Sequence, residues 1–72
     1  MIVRVETGNK KHVNFYEGEH IGFHPVGKDY KDGLTVIVEG KKTGVTIEVE
    51  KDSNTRIFLM NNQGKTIESI FC

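Results

Sequence analysis

Residues 12–24 read HVNFYEGEHIGFH, two runs of alternating apolar and polar side chains divided by Glu17-Gly18. How these runs pair decides the fold. Residues directly opposite in an antiparallel pair share a face. A two-residue turn at Glu17-Gly18 would set Phe15 opposite His20 and Val13 opposite Gly22, mixing apolar and polar on both faces. A three-residue loop shifts the pairing by one. It collects Val13, Phe15, Ile21 and Phe23 on one face and lets Gly18 take the left-handed position of a bulge. The stretch is therefore expected to be a β-hairpin in that register.

The other face of such a hairpin carries His12, Asn14, His20 and His24, and so all three histidines of the chain. The plainest reading is the solvated side of an amphipathic hairpin, because no spacing matches a metal motif and Glu17 and Glu19 sit at the turn. A zinc or nickel site is one alternative. A pH-sensitive interface, in which protonating neighbouring imidazoles adds like charges, is the other.

The rest of the chain is written for the same kind of structure. Eight Val, seven Ile and six Thr fill 21 of 72 positions, alanine is absent and there are two leucines. Branched Cβ atoms suit a pleated strand and lose rotamer freedom in a helix. No window keeps apolar residues at i, i+3, i+4, i+7 without a glycine or a β-branched run, so at most one helical turn is expected. Turn signals recur about every ten residues, at 7–9, 17–18, 27–33, 40–44, 52–54 and 61–64. Between them lie strands predicted at 2–6, 10–16, 19–24, 34–39, 44–51, 55–60 and 66–71. The expected fold is a single all-β domain over 1–72, a small antiparallel barrel or β-sandwich of five to seven short strands.

The predicted C-terminal hairpin is apolar on both sides. A Gly64 loop after Asn61 aligns Ile57 and Leu59 with Ile67, which leaves Phe58, Met60 and Ile70 on the opposite face, with Phe71 nearby. Seventy-two residues bury only roughly 60% of the unfolded chain's surface, and one cysteine allows no internal disulfide. Such a strand pair is central in a closed core or buried against another chain. Self-association through Phe58, Met60, Ile70 and Phe71 is the expectation.

Ten basic and ten acidic residues cancel, so no long-range field steers the chain to nucleic acid or an anionic membrane. The first fifteen residues lack an apolar signal region, and the longest apolar run, Ile57 to Met60, is far too short to span a bilayer as a helix. Cys72 reads as a free thiol in a reducing cytoplasm, and with nothing after it in this sequence it lacks the pattern of a prenylation signal. Catalysis has little to stand on: Ser53 and Ser69 are the only serines, there is no phosphate loop, and Glu17 and Glu19 lie at a turn where nothing desolvates them.

Residues 25–33, PVGKDYKDG, form the one extended loop. Asp29 and Asp32 before Gly33 have part of a calcium-loop spacing, but the alternating oxygen ligands and terminal glutamate are missing, so a turn bonded to its own backbone is expected. Taken together, the residues suggest a cytoplasmic, non-enzymatic interaction module without metal or cofactor, suited to a bacterial or phage accessory protein. It would be a homo-oligomer that binds a protein partner or small ligand through His12, Asn14, His20, His24, Lys28, Asp29 and Tyr30. One alternative is a small RNA- or DNA-binding protein using the hairpin-tip lysines Lys10, Lys11, Lys41 and Lys42 on phosphates. A metal-dependent enzyme at the histidine face is the other.

Overall fold

The computed structural model describes residues 1–8 and 11–72. It contains seven strands: β1 (Ile2–Thr7), β2 (His12–Glu17), β3 (His20–Pro25), β4 (Leu34–Glu39), β5 (Gly44–Val49), β6 (Arg56–Met60) and β7 (Thr66–Phe71). Tyr30–Asp32 makes a single 3-10 turn. Every strand falls where the alternation and turn residues put it, with ends shifted by one or two residues. All pairings are antiparallel, in one sheet ordered β2-β1-β6-β7 and another ordered β3-β4-β5.

The two sheets face each other across one core, so the all-β chain is a sandwich. The four-stranded sheet supplies Val3, Val5, Ile57, Ile70 and Cys72, and the three-stranded sheet supplies Leu34, Val36, Val38 and Val49. Tyr16, Ile21, Phe23, Tyr30, Ile47 and Leu59 pack around them. Period-two alternation explains the selection, since residues i and i+2 of a strand line the same face. Burying a Val, Leu or Ile side chain is worth about 1.5–3 kcal/mol each, and β4, which buries Leu34, Val36 and Val38, is the best anchored strand.

The expected hairpin over residues 12–24 does not form. β2 pairs with β1, placing His12 opposite Thr7 and Phe15 opposite Arg4, whereas β3 pairs with β4 in the other sheet. The chain changes sheets between consecutive residues: the Gly18 N–H donates to the Met1 carbonyl at 3.0 Å, and the Glu19 N–H donates to the Glu39 carbonyl at 2.8 Å. A Cβ at Gly18 would lie 2.6 Å from Val38 Cγ1 and 2.9 Å from the Glu39 carbonyl oxygen. Gly18 is thus required for close approach of two sheets, and it is not among the left-handed glycines, Gly8, Gly33 and Gly64. As a result Ile21 and Phe23 point into the core while Val13 and Phe15 are exposed.

A second correction concerns β7. Met60 faces Thr66, as the expected turn requires, and Asn61 Oδ1 accepts from the Gln63 and Lys65 N–H groups beside Gly64 at φ 86°. A β-bulge then intervenes, so that Leu59 pairs with Glu68 and Ile57 with Ile70. One extra residue reverses the facing of everything beyond it. Ile70 is consequently core rather than outer surface, and Ile67 is exposed.

Candidate functional site

The outer side of the four-stranded sheet is built from the strand positions that alternate with the core. Register alone aligns Phe15, Arg4, Phe58 and Ser69 in one row across β2, β1, β6 and β7. The next row is Val13, Glu6, Arg56 and Phe71, and the row on the other side includes Glu17, Ile2 and Met60. Phe15 and Phe71, on the two flanking strands, are 62% and 54% exposed, values that place whole phenyl faces in solvent.

Two guanidinium groups lie among these rings. Arg4, on β1 between β2 and β6, sits 5.8 Å from the ring centres of both Phe15 and Phe58. Arg56 stands 5.4 Å from the centre of Phe71. Attraction to an aromatic face is worth about 0.5–1 kcal/mol at exposed sites and more once water is excluded. Arg4 Nη2 donates to Glu6 Oε1 at 2.6 Å, and the Glu6 side chain is buried on what is otherwise the outside of the sheet. Arg4 Nε is enclosed with no hydrogen-bond partner, whereas Arg56 enters no ion pair among the described residues. Arg56, Phe58, Ser69 and Phe71 border a shallow groove. The surface therefore offers flat apolar rings, one neutralised cation and one spare cation.

The histidines are divided between sheets. His20 and His24 lie on the outer side of the three-stranded sheet, opposite Glu39 and Thr35. A Cβ at Gly22 would be 3.0 Å from His24 Nε2, so the His24 ring folds back over that glycine. With Ile37 and Glu39 they border a second shallow depression. His12 and Asn14 belong to β2 in the other sheet and are exposed. Among the described residues no three His, Cys, Asp or Glu side chains converge as a metal site.

The 26–33 loop is closed at its base by Val26 N–H to the Gly33 carbonyl at 3.0 Å. Lys28 and Asp29 are exposed; Tyr30 instead packs against the core, and its carbonyl accepts from the Cys72 thiol at 3.2 Å. Burial pushes the Cys72 thiol above its ordinary pKa of 9.0. Lys41 and Lys42 occupy the β4–β5 turn, with Lys41 Nζ 3.9 Å from Glu19 Oε1, and Lys11 is exposed at the β1–β2 turn. Lys10 lies outside the described residues.

Phe58, Met60 and Phe71, expected from the sequence as association residues, lie on this outer face beside Arg4, Glu6, Arg56, Val13 and Phe15, which the sequence did not group with them. Their association depends on β1 lying between β2 and β6, which joins residues more than fifty positions apart. No family model, curated protein or solved structure matches the chain.

Proposed function

We propose that the protein is a non-enzymatic interaction module whose working surface is the outer side of the β2-β1-β6-β7 sheet. The supporting observation is the cross-strand ladder Phe15, Arg4, Phe58, in which a guanidinium is held between two phenylalanines on a solvent-facing sheet. Aromatic residues and arginine are the side chains most enriched where proteins bind other proteins. The same ladder buries Glu6 and leaves Arg4 Nε unpartnered, an arrangement that costs about 1–3 kcal/mol for an unsatisfied group. A contact surface accounts for retaining it. The reading places the protein in a reducing cytoplasm, where Cys72 stays a thiol.

This surface differs from the histidine and loop surface expected from the sequence, whose members the fold distributes over two sheets. Nucleic-acid binding through Lys11, Lys41 and Lys42 has less support. Lys41 and Lys42 sit at the β4–β5 turn of the other sheet, while Lys11 precedes β2, so the lysines do not gather on one face.

Carbene footprinting read by mass spectrometry tests the proposal. Phe15, Phe58 and Phe71 should be labelled readily in dilute purified protein and protected severalfold when their partner is present, in a concentrated sample or in extract of the source cell. Equal labelling under all three conditions would remove the reading.

A further inference from the structure

Resting on that reading, we infer that the occupant of the outer face is a second copy of the same chain, stacked sheet on sheet about a twofold axis parallel to the strands. Such an axis, running between β1 and β6, lays β1 of one copy over β6 of the other and β2 over β7. Each row then meets its own reverse.

Row by row, the contents are complementary. Arg4 comes over the partner copy's Phe58 row position and continues the stacking it already has in its own chain. Arg56, without an ion pair among the described residues, comes over the row position of Glu6, which carries the only carboxylate in that row. Val13 meets Phe71, and Ile2 meets Met60, apolar on apolar. The other face-to-face twofold, perpendicular to the strands, does the opposite. It lays Arg4 on Arg4, so like charges meet at the centre of the face. The charge pattern therefore selects one of the two axes. A neutral chain adds no net repulsion between copies.

The size of the face sets the strength. Four strands about 4.8 Å apart and about 20 Å long present roughly 400 Å² in projection per copy, about 800 Å² for the pair, below the roughly 1,200 Å² of stable specific interfaces and in the range of weak, transient ones. Association in the micromolar range is the expectation, with the aromatic and arginine centre carrying most of it.

Sedimentation velocity on the full chain, from micromolar to millimolar concentration, should show a single-chain species passing to a two-chain species. Phe58→Lys, which sets an ammonium against the partner copy's Arg4, should weaken that passage by about 30-fold or more, the effect of removing a central anchor. Arrangement is read by mixing nitroxide-labelled Ser69→Cys protein without isotope label with nitrogen-15 wild type. Amide broadening should centre on Phe15 in β2. Wild type exposed to the same label serves as the control for Cys72. Broadening centred on β7 itself would overturn the strand-parallel axis.

A wild-type chain that stays single up to millimolar concentration, with Phe15 and Phe71 unprotected in the purified sample, would overturn the second copy as occupant. Protection that then appears only in cell extract would leave the interaction module standing with another partner. Retention of the two-chain species by folded Phe58→Lys would also overturn the inference.

Discussion

Three side chains carry their consequences individually. Gly18 has no room for a methyl group, because the Val38 side chain and the Glu39 backbone, both of β4, crowd the position a Cβ would take. Gly18→Ala should destabilise the fold by about 1–3 kcal/mol, the usual cost of overpacking, measured by urea denaturation. Arg4 is the sole ionic partner of buried Glu6 among the described residues. Arg4→Met should therefore be destabilising, and adding Glu6→Leu should recover most of the loss, since removing both partners is milder than stranding one. Cys72 gives the pH dependence. Its folded pKa lies above the unfolded value, so its contribution is fully present below the ordinary thiol value of 9.0 and is lost as pH rises through the folded value. Cys72→Val removes that titration. The stability difference between wild type and variant should be flat up to about pH 8 and move in favour of the variant in more alkaline solution.

At the level of strands, the outcome at each hairpin tip depends on what it touches. The β4–β5 tip carries Lys41 and Lys42 in solvent, and the one ion pair there spans 3.9 Å between exposed groups. Exposed pairs of this kind contribute between nothing and about 1 kcal/mol. Replacing both lysines by Ser should shift the denaturation midpoint little and leave association through the opposite sheet unchanged in sedimentation. Where strands begin and end was legible in the sequence because alternation and turn residues are local signals. Asp52 and Asn54, for example, adopt φ of 58° and 59° in a turn announced by Asp-Ser-Asn, residue types that tolerate that region. Which strand pairs with which was not legible. A hairpin and a change of sheet both satisfy the alternation of HVNFYEGEHIGFH, and only contact with Val38 and Glu39 tells them apart. In the same way Asn61 to Gly64 identified a tight turn, but the bulge between Leu59 and Met60 has no composition of its own and moved Ile70 from the expected surface into the core.

For the molecule as a whole, compactness and an apolar exterior coexist. The radius of gyration of 11.6 Å is close to the roughly 11 Å expected for a compact chain of this length, so the sandwich closes on its own core and still shows Phe15 and Phe71 to solvent. The pairing order adds a constraint of a different kind. β1 is complete within the first seven residues, yet one of its two neighbours, β6, starts at Arg56. At a synthesis rate of about 5–20 residues per second, the roughly 40 residues between β2 and β6 take about 2–8 s to appear. During that interval one row of β1 backbone donors and acceptors has no mate, and Val3 and Val5 have no Ile57 beside them. The β3-β4-β5 meander, made of consecutive strands, can assemble in the meantime; the other sheet has to wait. A growing chain is thus open to edge pairing with its neighbours on a polysome at β1, the first of these seven strands to be made, a hazard fixed by strand order and not by the stability of the finished fold.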